Sequence, residues 1–218
     1  MNKREFQLQE LLNGLSVEMP KELYNMKVPD PFGVLDWEEK NNRFYYIVSE
    51  IDEMAIDIAR VIIQYNVADR NIPVEERKPI VLFIDSPGGL DHVSWCIVDA
   101  IESSSTPVWT VNLNMAMSNG LTLLVAGHKR FAMPHSSVMY HSGSAGIMGT
   151  KEQVGAAGKF LSDQDKAYED WFVNRTGIDR KLLRRKSKGT DWYITETDEM
   201  IQHGIIHKVI ENINELMV

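Results

Sequence analysis

Hydrophobic positions along this chain fall into unbroken runs and helically spaced sets, separated by polar, glycine- or proline-bearing turns. Arg43–Val48 (RFYYIV) is an aromatic and β-branched run that predicts a first strand. Over residues 49–66, Ile51, Met54, Ile58, Val61 and Ile62 recur at helical spacing, with Ser49 in the cap position and acids in the first turn. That segment predicts a crossover helix. Residues 67–78 are charged and contain Pro73, so a loop is expected before Pro79–Ile84, an uninterrupted apolar run of the kind buried on both faces of a parallel sheet. Leu90, Val93, Ile97 and Ile101 mark a second helix, Val108–Leu113 a third strand, and Gly120–Ala126 a short helix of small and apolar residues. After a turn at Pro134, Ser137–Tyr140 forms another strand. The order predicts an α/β fold with a mostly parallel sheet.

Both flanks read differently. Over residues 1–42, Phe6, Leu8, Leu11, Leu12 and Leu15 give a weakly amphipathic start and Pro29-Asp30-Pro31 a broken linker, so an N-terminal arm with one short helix is expected. Past residue 141, SGSAGIMGT is a glycine-rich extended piece. Thr150 and Gln153 then form a capping box, Val154, Ala157 and Leu161 share a face, Phe160, Trp171 and Phe172 add apolar area, and Gly177 closes the helix. The basic run Arg184–Lys188 reads as a solvated face or a contact with an acidic neighbouring subunit.

Composition narrows the function. With 218 residues and 44% hydrophobic positions, the chain can bury one substantial core. A net charge of −8, from 23 basic against 31 acidic residues, argues against a nucleic-acid or anionic-membrane surface. The lone Cys96 cannot form an internal disulfide and is expected to be buried as a small hydrophobe. No basic and apolar leader pattern opens the sequence, and no run reaches the roughly 18 apolar residues of a membrane span, so a cytoplasmic protein is expected. His92, His128, His135, His203 and His207 have no metal-ligand spacing with acids or Cys96, and no cofactor is expected.

Two places carry candidate chemistry. Ser118 lies between a buried-looking strand and a small-residue helix, where unpaired N–H groups and the helix dipole favour a developing anion. It is a candidate nucleophile or a helix cap. His141, at the end of the Ser137–Tyr140 strand, is the candidate base or a core histidine. Gly88-Gly89, after the Pro79–Ile84 strand, is either a Pro-Gly turn or a pair of positions exposing backbone N–H groups to an anion. Ala116-Met117-Ser118-Asn119-Gly120 permits a sharp turn at the serine, but an α/β-hydrolase would have an acid between Ser and a far-downstream His, so that topology is excluded.

FIDSPGG, AMSNGLTLLVAG and KRFAMPHSSVMYH, in that order, resemble the proteolytic subunit of the Clp protease (ClpP), including its phage- and plasmid-type members. EMIQHGIIH resembles the family's closing segment. The likeness covers residues 43–141 and resumes near Asp191; residues 1–42 and 67–78 lie outside it. It implies a ClpP/crotonase-like fold for a peptidase domain (43–218) that follows the arm (1–42) and whose head (43–141 plus 178–218) carries a protruding handle (about 142–177). It further implies a serine endopeptidase with Ser118 as nucleophile, His141 as base, and an oxyanion hole from the N–H groups of Gly89 and Asn119. Asp191, opening the pattern Asp-Trp-Tyr-Ile-Thr, matches the acid that orients the histidine; a cap or turn aspartate is the alternative. Expected partners are copies of the chain in heptameric or double-heptameric rings, an AAA+ ATPase unfoldase, and unfolded polypeptide substrate. Ser142-Gly143 and Asn119 depart from the family's usual Gln-Pro and Met. Alternatives are a non-catalytic or weakened ring subunit and an acyl-CoA enzyme of the crotonase fold.

Overall fold

A computed structural model describes residues 31–143 and 146–217. Its contacts divide the chain into two units, Met1–Phe44 and Tyr45–Val218. In the first, α1 (Pro31–Asn42) occupies the last part of the stretch expected to be an arm, and the predicted short helix around Phe6–Leu15 lies outside the described residues. Pro31 suits the first helical position because that N–H has no intrahelical acceptor. Among the described residues no helix is long and apolar enough to cross a membrane.

The second unit is built on a seven-stranded sheet ordered β1–β2–β3–β4–β7, with β5 pairing β3 and β6 off that path. Its strands are β1 (Phe44–Val48), β2 (Ile80–Ser86), β3 (Val108–Met117), β4 (Lys129–Ala132), β5 (Ser137–Tyr140), β6 (Trp192–Ile194) and β7 (Lys208–Val209). β2–β3, β3–β4, β3–β5 and β4–β7 pair in parallel, and β5–β6 pairs antiparallel. As the apolar run predicts, Ile80–Ile84 are all buried. Helices α2 (Asp57–Ala68), α3 (Asp91–Glu102) and α4 (Asn119–Ala126) lie between successive strands of this mostly parallel sheet, giving the predicted α/β fold.

β3 is longer than its hydrophobic pattern suggests. Residues 114–117, expected as a connection, continue the strand because a second partner takes over the ladder. Trp109–Asn112 register with Lys129–Ala132 of β4, whereas Met115–Met117 register with Ser137–Met139 of β5. Asn112 sits at the branch, buried, donating to the Ser137 carbonyl at 2.8 Å. β4 escapes the sequence pattern because it is short and opens on Lys129-Arg130. Arg130 is nevertheless buried, its guanidinium donating to the carbonyls of Val125, Arg175 and Gly204, and desolvation together with Arg175 lowers its pKa to about 10.

Two further expectations are corrected. Ser49 does not cap the first crossover helix; it sits at φ 72° with its N–H on the Asp85 carbonyl, and Asp52 caps a 3-10 turn, Glu53–Ile56, that precedes α2. Ile51 is therefore buried while Met54 is exposed. Cys96 is exposed, because Val93, Ile97 and Ile101, joined by Ser94 and Val98, define a face that excludes it. In the basic run Arg184, Arg185, Lys186 and Lys188 are exposed, as a solvated face requires, and Arg184 together with Arg180, both in α6 (Arg180–Lys186), contacts Glu169 of α5 (Lys151–Thr176), at 2.8 and 2.7 Å. Those hydrogen bonds hold the Glu169 carboxyl below its usual pKa.

α5 carries the predicted capping box at Thr150 and Gln153, and Gly177 ends it at φ 74°. Its C-terminal turns are anchored by rings: Phe172 lies 4.9 Å from Tyr140, Tyr168 stacks on Tyr140 at 5.7 Å, and Trp171 meets Trp95 at 5.2 Å between centroids. The preceding turns are largely exposed, Phe160 included.

Two histidines report on pH. His128 Nδ1 accepts the Val108 N–H at 2.9 Å, and N–H groups of Arg130 stand 3.1 and 2.8 Å from the Nδ1 and Nε2 of His207, of which the neutral ring accepts from one. A proton added to either ring meets a donor rather than an acceptor. Partial burial, then neighbouring guanidinium charge, lowers both pKa values. Since the unfolded chain binds these protons more readily, their contribution to stability is complete above about pH 6.5 and is lost as pH falls from there toward the folded values. The urea midpoint is expected to drop between pH 7.5 and 5.5, and His128→Asn with His207→Asn to flatten the change; equal slopes in the double variant would refute the assignment.

Candidate active site

β3 delivers Ser118 to the carboxyl end of the sheet, where ligands gather in open α/β folds. The residue adopts φ 51°, ψ −121°, a conformation costing a non-glycine residue roughly 1–3 kcal/mol. Backbone bonds hold it: the Ser118 N–H donates to Met139 O at 2.9 Å, and its carbonyl accepts the N–H groups of Leu121 and Thr122 at 3.0 and 3.2 Å. Gly120 is needed beside it, because a Cβ there would come within 2.9 Å of the Ser86 carbonyl. Although Ser118 occupies the N-cap position of α4, its side chain makes no cap hydrogen bond. Its Oγ instead lies 2.7 Å from His141 Nε2.

The antiparallel β5–β6 ladder explains how the histidine meets an acid. Tyr140 pairs with Trp192, so the residue following Tyr140 faces the residue preceding Trp192. These are His141 and Asp191. His141 Nδ1 lies 3.5 Å from Asp191 Oδ1, an ion-pair spacing beyond the 2.7–3.2 Å of a good N–H···O hydrogen bond. The Asp191 side chain is 45% exposed, against 26% for His141, so water competes for its oxygens. Its Oδ2 also accepts the Tyr193 hydroxyl at 3.3 Å.

Gly88-Gly89 form the loop between β2 and α3. Gly88 at φ 106° and Gly89 at φ 153° lie where side chains are strained, and neither could carry a Cβ. At Gly88 it would stand 2.8 Å from Ser118 Cβ and at Gly89 2.2 Å from Ile51 O, so the loop packs directly on the serine's turn. Ile51 pins it from outside: its N–H donates to Gly88 O and its carbonyl accepts from Leu90 N–H, both at 2.8 Å. In a trans peptide the N–H opposes the C=O, so fixing Gly88 O aims the Gly89 N–H away from Ile51. Among the described residues no acceptor meets the Gly89 N–H or the Asn119 N–H. The part played by Ile51 escapes sequence reading, since it looks like one more apolar position of a helix.

A serine on a strained strand-to-helix turn, an imidazole in hydrogen-bond reach and a carboxylate behind it, at the carboxyl end of a mostly parallel sheet, form the constellation used in acyl transfer. Comparison with known proteins gives the family. The family model for the Clp protease matches residues 40–213. The ATP-dependent Clp protease proteolytic subunit 2 of Cutibacterium acnes is 29% identical over 178 residues, 80% of each chain. The ATP-dependent Clp protease proteolytic subunit of Deinococcus radiodurans is 31% identical over 158 residues, 71% of this chain and 74% of its own. The subunit 2 of Thermobifida fusca is 30% identical over 167 residues, 74% and 76% of the two chains. This chain belongs to the Clp protease family, a family of peptidases, and its mostly parallel α/β sheet is consistent with that membership.

Proposed function

We propose that the protein is a serine endopeptidase that hydrolyses unfolded polypeptides inside a ring assembly of its own copies, supplied by an ATP-dependent unfoldase. The observation carrying this reading is the 2.7 Å contact between Ser118 Oγ and His141 Nε2, made by a serine whose side chain serves no cap. His141 Nε2 takes the hydroxyl proton as Oγ attacks the peptide carbonyl, and the N–H groups of Gly89 and Asn119 receive the oxyanion. The imidazolium then protonates the departing amine, and water, activated by the same nitrogen, hydrolyses the acyl-enzyme. Asp191 stabilises the imidazolium and its orientation.

The assembly rests on coarser support: the relatives are named as subunits of an ATP-dependent protease. The chain also exposes apolar side chains at Ile147, Met148, Val154 and Phe160, on and just before the outer turns of α5. We assign 142–177 as the handle through which two rings stack, 43–141 plus 178–218 as the head, and 1–42 as an arm. The test is covalent labelling with a fluorophosphonate, located by peptide mass spectrometry, alongside sedimentation of the assembly. Label on Ser118 in a multimer is expected; no label at any subunit concentration, with or without an added unfoldase, defeats the enzymatic reading.

The 3.5 Å His141–Asp191 spacing favours, as the second reading, a subunit with a weakened triad. Asp191→Asn is accordingly expected to lower kcat by on the order of 10²-fold, against roughly 10⁴-fold in a tightly coupled serine-protease triad. A loss of 10⁴ in a steady-state peptide assay would mean that Asp191 closes onto the imidazole during turnover.

A further inference from the structure

We propose that the Asn119 side chain is a positioning residue that clamps the loop of one oxyanion donor to the helix bearing the other, an inference that rests on the peptidase reading above. Asn119 Nδ2 donates to the Gly89 carbonyl at 2.8 Å. The contact joins two segments 30 residues apart, the turn after β2 and the first residue of α4. The backbone N–H of Asn119 and that of Gly89 are the two proposed oxyanion donors. A single residue thus supplies one donor and holds the strand of chain that supplies the other.

The loop has need of such a hold. Gly88 and Gly89 offer no side chains, and glycine peptides rotate with little steric resistance. The Ile51 bonds tie the loop to the segment after β1, which fixes its tilt relative to that segment but not its distance from Ser118. Ser86 Oγ, accepting the Gly88 N–H at 3.1 Å, restrains the loop at its base. Across the active-site side, the Asn119 amide is the side-chain hydrogen bond that connects the loop to α4. Electrostatic stabilisation of a tetrahedral intermediate depends on donors fixed within tenths of an ångström of the oxyanion, so a slackened Gly89 would be felt in the transition state more than in substrate binding.

Asn119→Leu keeps the volume and the backbone N–H but removes the amide donor; Asn119→Asp keeps the shape but sets a carboxylate against the Gly89 carbonyl. With a fluorogenic peptide, Asn119→Leu is expected to lower kcat about tenfold with little change in KM, short of the roughly 10²–10³-fold loss from deleting an oxyanion donor itself. Asn119→Asp falls further. The inhibition constant of a peptide aldehyde, whose hemiacetal oxygen occupies the oxyanion position, rises by a similar factor, while the melting temperature and sedimentation stay at wild-type values. Backbone hydrogen exchange across residues 86–90 accelerates in both variants. Wild-type kcat, aldehyde inhibition and exchange in Asn119→Leu would overturn the clamp. If the wild-type protein neither cleaves nor labels, the peptidase reading fails instead, and the exchange comparison still decides whether Asn119 holds the loop.

Discussion

Ser118→Ala is expected to reduce peptide hydrolysis by about 10⁶-fold and to abolish fluorophosphonate labelling, with no change in thermal stability or assembly. The two halves of this expectation come from the same geometry. Ser118 Oγ bonds to His141 and makes no cap contact, so its removal leaves every backbone bond of the turn in place. The unfavourable φ of 51° is borne equally by alanine, since both residues carry a Cβ. Chemistry is lost while folding is spared. Activity above about 1% of wild type in the alanine variant, after contaminating peptidases are excluded, would mean that another group attacks the substrate. A large fall in melting temperature would mean that the hydroxyl has a structural bond absent from this conformation.

The largest effect on stability is expected at Phe172. It is fully buried and lies 4.9 Å from Tyr140 and 6.0 Å from Tyr168 between ring centroids. Truncation to alanine opens a cavity among rigid rings that cannot collapse, and large-to-small changes of this kind cost about 3–5 kcal/mol. Tyr140 immediately precedes His141, so the same cavity loosens the support of the imidazole. Urea unfolding at one fixed subunit concentration, which keeps any association term constant, gives the measure. A cost below about 1 kcal/mol would show that α5 does not depend on this residue for its hold on the sheet.

Much of this arrangement was legible in the sequence, for identifiable reasons. Long apolar runs such as Ile80–Ile84 have no polar alternative to burial, and capping signals such as Thr150 with Gln153 act within one turn of chain. Ser118 and His141 could be read because each follows a strand whose pattern is clear. What stayed hidden depends on contacts distant in sequence. β4 is a strand because β3 and β7 flank it, not because Lys129-Arg130-Phe131-Ala132 favours one. Ile51 and Met54 share a helical spacing, yet the turn at Ser49 sends one inward and leaves the other outside. Asp191 could be named from a motif, but its 3.5 Å separation from His141 depends on side-chain placement at a strand end, which no local pattern encodes.

The branching of β3 has a consequence for how tolerant the site is to change. Ser118 and His141 sit one step past the ends of two strands zipped together by three residue pairs, Met115–Ser137 to Met117–Met139. Their separation is thus a whole number of ladder rungs. Sliding β5 by a single rung would carry His141 some 3.3 Å along the strand and turn its imidazole to the opposite side of the sheet. Side-chain chemistry near Ser118 can be tuned by degrees; the spacing of Ser118 and His141 can change only by jumps, and the four residues 133–136 joining β4 to β5 are where such a jump would enter.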